Sequence, residues 1–462
     1  MSIALAFGRF LAESATAPLP DEVLHHAARA LVDWSGAMIA GWSLPVMGPV
    51  RAAVADDLGH GRSTVYGTPQ DKVPARTAAL LNGTASHAIE LDDIYAPGLY
   101  HPGCPTIAAA LAVAEAEGAT GAELLRAIVL GYEVGNRIAE AVQPDHYRYW
   151  HTTGTVGCMG AAAAAASLLK LDAQKCAHAL SAATTFASGL QQAFRSEAML
   201  KPLHAGRAAE AGVFAANAAR HGLTGEPEIF EGPAGFGAAM SHDVDWDRAV
   251  AALGQDWTIC RMTQKIHACC GHTFAAVDAA LALRSQIDDL AAVRRIEVET
   301  YPVAIDVAGN AAPTTPYEAK FSIAFCVATA LAHGQVGTEA FTDERVAEQP
   351  LRRLMDKVEA KGSERFREAF PAMRGAEIAL HLADGRVLRH HQPTRVGSPQ
   401  YPSTDADLSA KFRTLAGPTF GERTDTVLAG LWAMAGGGAG PAAGLTVINE
   451  PVANTAEGDD RS

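Results

Sequence analysis

Alanine- and leucine-rich segments with helical spacing recur over roughly the first 260 residues of the chain. From Asp21 to Trp34, apolar residues return every three or four positions behind a Pro-Asp start, which predicts an amphipathic helix. The same pattern predicts helices over 74–90, 104–117, 121–142, 154–169, 172–190 and 205–221. Because such helices bury their apolar faces against one another, residues 1–261 are predicted to form a large all-helical domain with close, alanine-lined contacts.

The sequence pattern changes beyond residue 261. Arg295–Tyr301 and Glu377–Leu382 alternate apolar and polar residues, and Asp384-Gly385 after the second run indicates a hairpin turn. Helical patterns accompany these strands at 273–286, 317–333 and 343–356. Residues 262–397 are therefore predicted to form a smaller α+β domain, which makes the chain mainly α.

The C-terminal part of the chain divides into two segments. A helical pattern returns beyond Asp405 and continues through Trp432, and the segment 398–435 is predicted to pack back on the helical domain. Residues 436–462 are rich in glycine, alanine and late acidic side chains, and they are predicted to have no fixed structure.

Charge and cysteine content narrow the classes of function. Acidic residues outnumber basic ones by 51 to 37 and give a net charge of −14, which argues against nucleic acid and anionic membranes as partners. The N-terminus carries charges too early for a secretory signal, and no apolar run has membrane-spanning length. The seven cysteines are odd in number and lie in apolar stretches, which indicates reduced thiols. We therefore expect a soluble cytoplasmic protein.

Four polar segments stand at the edges of the predicted helices, where side chains can face a cleft. They are 90–103, 147–154, 199–206 and 264–273. In the first segment, Glu90, Asp92 and Asp93 are followed by His101 across a Pro-Gly loop that could fold the histidine back toward the carboxylates. The alternative for this segment is a capped helix with a solvated acidic end.

His151 precedes a Thr-Thr-Gly sequence and a predicted helix. The positive N-terminal end of a helix favours a nearby anion, and a substrate carboxylate would suit that place. In the alternative, Thr152 or Thr153 merely caps the helix while His151 packs against Trp150. The local sequence leaves both interpretations open.

Lys201 and Lys265 stand in segments with few other charges. A buried lysine must be paired, or it loses its proton. The charged form can bind a carboxylate or an enolate-like oxygen, and the neutral form can serve as a base. A solvated surface lysine is the ordinary alternative for each.

The sequence offers no motif for a cofactor. The run from His267 to His272 lacks a second Cys/His pair at zinc spacing, and adjacent cysteines rarely bind one ion together. The chain has no phosphate-binding loop, no dinucleotide-binding glycine pattern and no nucleophile elbow. We therefore expect neither a metal ion nor an organic cofactor.

Taken together, the four segments resemble those of the MmgE/PrpD family, which includes 2-methylcitrate dehydratase, cis-aconitate decarboxylase and iminodisuccinate epimerase. The resemblance rests on the order of the segments and on His-Pro-Gly at 101–103, Lys-Pro-Leu-His-Ala-Gly at 201–206, Lys-Ile-His-Ala-Cys-Cys-Gly-His-Thr at 265–273 and Glu-Ala-Lys-Phe-Ser at 318–322. It spans most of the chain.

The resemblance implies a helical domain built from both ends of the chain, an α+β lid inserted over 262–397, a cleft between them and a homodimer. A small carboxylate is the implied substrate. The implied catalytic residues are His101, His151, Lys201 and Lys265, and the expected substrate-binding residues are Glu90, Asp93, His272 and Tyr149.

The family's chemistries share the removal or delivery of a proton at a carbon beside a carboxylate. The resemblance implies that a histidine acts as acid or base while the lysines bind carboxylates and stabilise an enolate-like intermediate. Dehydratase and decarboxylase members usually read D-F-D-D-T where this chain has Glu90 to Ile94, and they often have a tyrosine at Phe325. A dehydratase-type lyase acting on a small di- or tricarboxylate is the first choice. The alternatives are an epimerase of an imino- or aminodicarboxylate, a cis-aconitate-type decarboxylase and a non-catalytic helical scaffold.

Overall fold

The computed structural model describes residues 1–66, 72–194, 198–370 and 373–434. The chain divides into a helical unit, formed by Met1–Thr263 with the segment from Asp405 onward, and an α+β unit, formed by Gln264–Thr404. The tail predicted over 436–462 lies outside the described residues. All seven cysteines are described and are free thiols, as predicted. No helix in the described ranges is both long and apolar enough to cross a membrane.

Helices make up nearly all the regular structure of the helical unit. They are Ile3–Ser14, Asp21–Gly41, Met47–Ala52, Ala75–Ala88, Gly103–Glu117, Gly121–Ala141, Thr152–Thr155, Gly157–Leu168, Ala173–Thr184, Leu200–Arg220, Phe236–Met240, Trp246–Val250, Asp405–Phe420 and Thr424–Ala433. Ile3–Ser14 was not predicted. A short antiparallel pair, Ser63–Thr64 with Lys72–Val73, is also present. The predicted helices of this part are present, but the one predicted over 172–190 ends at Thr184 and the one predicted over 154–169 is divided between Thr155 and Gly157.

Small residues allow the central helices of this unit to approach closely. A Cβ added at Gly212 would lie 2.5 Å from the Cβ of Ala161, and one added at Gly131 would lie 2.7 Å from the carbonyl oxygen of Gly160. Separations this short exclude any larger side chain, so glycine is required where these helices cross. The alanines from 161 to 166 are fully buried at the same place, which is the close packing predicted from the alanine content.

The helix Asp405–Phe420 packs on Asp21–Gly41 through a buried ion pair. Lys411 Nζ donates to Asp33 Oδ1 and to the carbonyl oxygen of Leu91, both at 2.6 Å. The side chains of Lys411 and Asp33 are both almost fully buried. The C-terminal segment thus belongs to the helical unit and also holds the chain beside the acidic segment.

Lys411→Met is expected to lower the free energy of unfolding by about 3 kcal/mol, because it leaves the buried Asp33 carboxylate without its cation. Burial raises the pKa of Asp33 and Lys411 lowers it, so loss of the lysine moves this pKa further upward. Urea unfolding measures the change. Arg413→Met removes an exposed cation of the same helix and should keep the parent's midpoint. Equal midpoints for the two variants would contradict the prediction.

The α+β unit is built on a four-stranded sheet. The strand order is Val358–Gly362, Val293–Thr300, Ala376–Leu382 and Val387–Gln392, with the first pair parallel and the others antiparallel. The last two strands form the predicted hairpin, with Gly385 in its turn at φ 88°. Val358–Gly362 was not predicted, because glutamate, alanine, lysine and glycine all have low strand propensity.

Helices accompany this sheet, and some of the predicted ones are divided. They are Phe274–Arg284, Pro302–Ala308, Pro316–Lys320, Ile323–His333, Asp343–Val346, Gln349–Met355 and Glu364–Ala369. The helix predicted over 317–333 breaks at Ser322, whose hydroxyl caps the second half by accepting from the N–H of Phe325. The one predicted over 343–356 breaks before Pro350, which favours the first turn of a helix.

The α+β unit ends later than the predicted boundary at 397. The N–H of Gln264 donates to the carbonyl oxygen of Gly397 at 2.9 Å, and the Ser403 hydroxyl donates to Gln264 Oε1 at 3.2 Å. These bonds keep the chain with this unit up to Thr404.

Candidate active site

Asp92 is the centre of a buried cluster in the helical unit. Its Oδ2 lies 2.8 Å from His87 Nδ1, 2.9 Å from His101 Nδ1 and 3.1 Å from the Cys104 sulfur. Asp92 and His87 are buried, whereas 15% of the His101 side chain is exposed. One carboxylate oxygen thus orients two imidazoles, and His101 is the imidazole with access to solvent.

The turn after the helix Ala75–Ala88 brings this cluster together. His87 lies in the last turn of that helix, and Glu90 then turns the chain with a left-handed backbone, φ 62°. A non-glycine residue in this region costs about 1 kcal/mol or more, so surrounding contacts must hold the turn. His101 folds back toward the acidic segment, as the Pro-Gly loop predicts, and its partner there is Asp92.

The charge of Asp92 determines what the two imidazoles can do. Burial raises the pKa of Asp92, but His101 and His87 outweigh it and hold this pKa well below its usual range. The carboxylate is therefore ionised at neutral pH, where it accepts Nδ1–H from His87 and forms an ion-pair contact with Nδ1 of His101. The Nε2 atom of His101 is then left to exchange a proton, as in other sites where a carboxylate orients a catalytic histidine.

A second pair of imidazoles lies beside the first. His151 Nδ1 and His204 Nδ1 are 3.1 Å apart, and the ring centroids of His151 and His87 are 5.5 Å apart. Burial, followed by the charges of His87 and Lys201, lowers the pKa of both His151 and His204. Both rings are therefore neutral at physiological pH and share one Nδ1–H.

The ring of His151 lies among histidines and not on Trp150. Trp150 instead stacks on His146, with ring centroids 6.5 Å apart. His151 directly precedes a helix of about one turn and forms no side-chain cap bond there. A Cβ added at Gly154 would lie 3.1 Å from the Cβ of His204, so the glycine of Thr-Thr-Gly leaves the space that His204 occupies.

Lys201 adds a positive charge to this cluster. Its Nζ lies 2.5 Å from Glu90 Oε1, and 23% of its side chain is exposed. Burial lowers the pKa of Lys201, but the charge and hydrogen bond of Glu90 outweigh it and raise this pKa, so the lysine stays charged. A charged, partly exposed lysine beside neutral imidazoles can bind an anionic group of a substrate.

Asp93 accepts hydrogen bonds from two groups of the helical unit. Its oxygens accept from the Tyr132 hydroxyl at 2.8 Å and from the N–H of Gly103 at 3.1 Å. Burial raises the pKa of Asp93 to about 7, although the Tyr132 hydrogen bond lowers it. The substrate-binding role of Asp93 stays a prediction.

Asp93 is expected to reduce stability as the pH rises. Its folded-state pKa of about 7 exceeds the ordinary value of 3.8, so its contribution is present below pH 3.8 and is lost as the pH passes 7. Between about pH 5 and about pH 8, the melting temperature of Asp93→Asn should therefore fall less than that of the parent. Asp245→Asn, at an exposed helix cap, is the control and should follow the parent. A fall in Asp93→Asn equal to that of the parent would count against this role.

The remaining predicted site residues are Lys265, His272 and Tyr149. Lys265 and His272 belong to the α+β unit, where His272 Nδ1 is 2.8 Å from the Tyr301 hydroxyl. Burial, followed by two arginine charges, lowers the pKa of His272 to about 4, so its ring is neutral at pH 7. Tyr149 belongs to the helical unit and is 56% exposed. The roles of Lys265, His272 and Tyr149 stay predictions.

One group of potential metal ligands occurs in the described part of the chain. It consists of His87, Asp92 and Cys104, whose ligand atoms lie within 4.8 Å of one another. The Asp92 oxygen already accepts hydrogen bonds from both neighbours. Burial, followed by the charge of Asp92, raises the pKa of the Cys104 thiol well above its usual range, which disfavours the thiolate that binds metals. The group therefore fits a hydrogen-bond network better than a metal site, and metal independence stays a prediction.

His87 and His204 were not predicted from the sequence to belong to the site. His204 lies inside the segment 199–206 that the sequence had singled out, so its position beside Lys201 was the available signal. His87 sits at a buried position of a helix, where a histidine ordinarily satisfies a packing role. Its closeness in sequence to Asp92 was its one signal.

A buried carboxylate that orients histidines beside a charged lysine can support acid–base chemistry on an anionic compound. Comparison with protein families shows the family of the chain. The model of the MmgE/PrpD N-terminal domain matches residues 5–249, and the model of the MmgE/PrpD C-terminal domain matches residues 267–433. The chain therefore belongs to the MmgE/PrpD family, and the predicted family and mainly α fold are confirmed.

Several curated relatives match most of the chain. The cis-aconitate decarboxylase-like protein oryM of Aspergillus oryzae is 28% identical, over 86% of this chain and 87% of its own length. Cis-aconitate decarboxylase of Homo sapiens is 27% identical, over 86% of this chain and 84% of its own length. Cis-aconitate decarboxylase of Aspergillus terreus is 26% identical, over 87% of both chains. These similarities support an enzyme.

Proposed function

We propose that this chain is a lyase that decarboxylates a small unsaturated tricarboxylate of the cis-aconitate kind. The observation that carries the proposal is the pair of His101 and Asp92, with charged Lys201 in the same cluster. An oriented imidazole supplies the proton, and the lysine binds a carboxylate. The relatives named as cis-aconitate decarboxylases support this choice of reaction.

In the proposed reaction, the bond between a carboxylate and its neighbouring carbon breaks. The electron pair stays on the substrate and spreads into an unsaturated carboxylate as an enolate-like anion, which the Lys201 charge stabilises. The imidazolium of His101, held through Nδ1 by Asp92, delivers its Nε2 proton to carbon. One carbon–carbon bond is exchanged for one carbon–hydrogen bond, carbon dioxide leaves, and solvent returns the proton to His101.

The demands of each chemistry support decarboxylation over the dehydration that the sequence first suggested. Dehydration needs a base for the α-proton and also an acid for the leaving hydroxyl, and epimerisation needs acid and base on opposite faces of one carbon. Decarboxylation needs one acid and one cation. His101 and Lys201 meet that demand within one cluster, while the neutral pair of His151 and His204 remains for positioning.

Incubation of the full-length protein with cis-aconitate in deuterated water tests the proposal. We expect release of carbon dioxide and one carbon-bound deuterium in the product. Mass spectrometry and NMR detect both. Parallel incubation with 2-methylcitrate and with amino- and iminodicarboxylates covers the other chemistries. A new double bond without carbon dioxide would replace the proposal by dehydration, and α-deuterium without a change in composition would replace it by epimerisation. The homodimer stays a prediction, and sedimentation of the full-length protein tests it.

A further inference from the structure

Arg395, in the α+β unit, is a buried cation without a counter-ion among the described residues. Its exposure is 7%, and no hydrogen bond or ion pair to its guanidinium occurs in the described ranges. Buried charges in proteins are ordinarily paired, because the cost of removing an ion from water is otherwise not offset. An anion at the guanidinium would supply that missing partner.

The carboxylate that acts on Arg395 is already occupied. Asp278 Oδ1 lies 2.8 Å from His267 Nε2, and Asp278 Oδ2 accepts from the N–H of Val396 at 2.8 Å. Burial and the charge of Arg374 together lower the pKa of Arg395 to about 10, and Tyr301 and Asp278 only partly oppose them. The protein therefore leaves positive charge here without an equal negative charge.

Aromatic rings connect Arg374 to the same place. Its guanidinium carbon lies 5.6 Å from the ring centroid of Phe370, which stacks on Tyr301 with centroids 4.8 Å apart. The Tyr301 hydroxyl lies 2.8 Å from His272 Nδ1. The charges of Arg374 and Arg395 both act on His272 and on Tyr301, whose imidazole and hydroxyl can supply hydrogen bonds without further charge.

The backbone leaves little room beside the Arg395 guanidinium. A Cβ added at Gly271 would lie 3.2 Å from Arg395 Nη1, which is closer than most side chains tolerate. Gly271 directly precedes His272 in the segment that the sequence singled out. A larger residue would occupy the space next to the guanidinium, so the glycine keeps one edge of Arg395 accessible to a small planar group.

We infer that Arg395 and Arg374, with His272 and Tyr301, form a binding site for one carboxylate of a small di- or tricarboxylate. A guanidinium presents two parallel N–H donors that match the two oxygens of a carboxylate. The choice of a carboxylate over other anions rests on the proposed function.

Calorimetric titration of the full-length protein with tricarballylate, a saturated tricarboxylate, tests the inference. We expect Arg395→Gln to weaken binding by more than about tenfold, which is the usual effect of losing a charge-assisted hydrogen bond. Arg374→Gln should weaken it severalfold. The control is Arg386→Gln, at an exposed arginine paired with Asp384 in the hairpin turn, and it should bind as the parent does.

Stability without ligand separates binding from a structural role. Removing an unpaired buried charge should leave the melting temperature of Arg395→Gln at or above that of the parent, whereas loss of a structural contact would lower it. Tricarballylate should then raise the melting temperature of the parent more than that of the variant. Parent-like affinity in both Arg395→Gln and Arg374→Gln, or tighter binding of inorganic phosphate than of tricarballylate, would overturn the inference.

Activity distinguishes failure of this inference from failure of the proposed function. If the parent binds tricarballylate through Arg395 but releases no carbon dioxide from cis-aconitate, the site stands and the proposed reaction falls. If the parent decarboxylates cis-aconitate and Arg395→Gln binds tricarballylate as the parent does, the reaction stands and the site falls.

Discussion

Asp92→Asn is expected to lower the turnover number by about a thousandfold or more while the protein stays folded. An ionised Asp92 lies within 2.9 Å of Nδ1 of both His101 and His87 and stabilises a positive charge on either ring. An amide in its place carries no charge and can donate a hydrogen to Nδ1, which would favour the wrong tautomer. In serine proteases, replacing the aspartate that orients the catalytic histidine by asparagine lowers the turnover number by about 10⁴-fold.

Steady-state kinetics with cis-aconitate and thermal unfolding of the same preparation measure this effect. Asp172→Asn is the matched control, because Asp172 caps an exposed helix end and asparagine caps as well as aspartate. It should keep the parent's turnover. If Asp92→Asn retained more than about a tenth of the parent's turnover, Asp92 would not orient the catalytic acid.

Most helices of the helical unit could be predicted, because the spacing of apolar residues that indicates a helix lies within one short stretch of sequence. A helix that packs against other helices repeats apolar residues every three or four positions, and Asp21–Gly41 and Gly121–Ala141 show this pattern plainly. The strand Val358–Gly362 could not be predicted, since it is defined by its parallel partner Val293–Thr300 and not by its own residues.

The candidate site shows the same division between local and distant information. The acidic segment and His101 lie within one stretch of chain, so the sequence was sufficient to bring them together. Lys411 donates to the carbonyl oxygen of Leu91, which lies 320 positions earlier in the chain. The buried cation Arg395 lies in the segment that follows the last strand. Neither arrangement leaves a signal in a single sequence, because each depends on how distant segments meet.

The sequence also identified segments more accurately than the atoms within them. The sequence did not show which carboxylate of the acidic segment meets His101, and the structure shows that it is Asp92. Adjacent residues in an irregular segment point in different directions, and the backbone turn at Glu90 decides which one meets the histidine. This turn is held by an ion pair with Lys201, more than a hundred positions further along the chain.

Lys201→Met is expected to lower the turnover number by about a hundredfold, because its charge stabilises the enolate-like anion more than the bound substrate. A second effect follows from its neighbours. After burial and His87, the charge of Lys201 is the next cause that lowers the pKa of His151. Without it, this pKa should rise toward its usual range. If neutral His151 is required, activity in the variant should be lost at a higher pH on the acid side of the profile.

The two effects are measured from the pH dependence of turnover with cis-aconitate. Lys170→Met removes an exposed lysine paired with Glu123 in the same unit, and it should match the parent in both respects. A merely structural role for Lys201 would lower activity equally at every pH. A Lys201→Met variant with the parent's turnover and a raised Michaelis constant would show that the lysine binds substrate and transition state alike, and the proposed stabilisation of the anion would then be wrong.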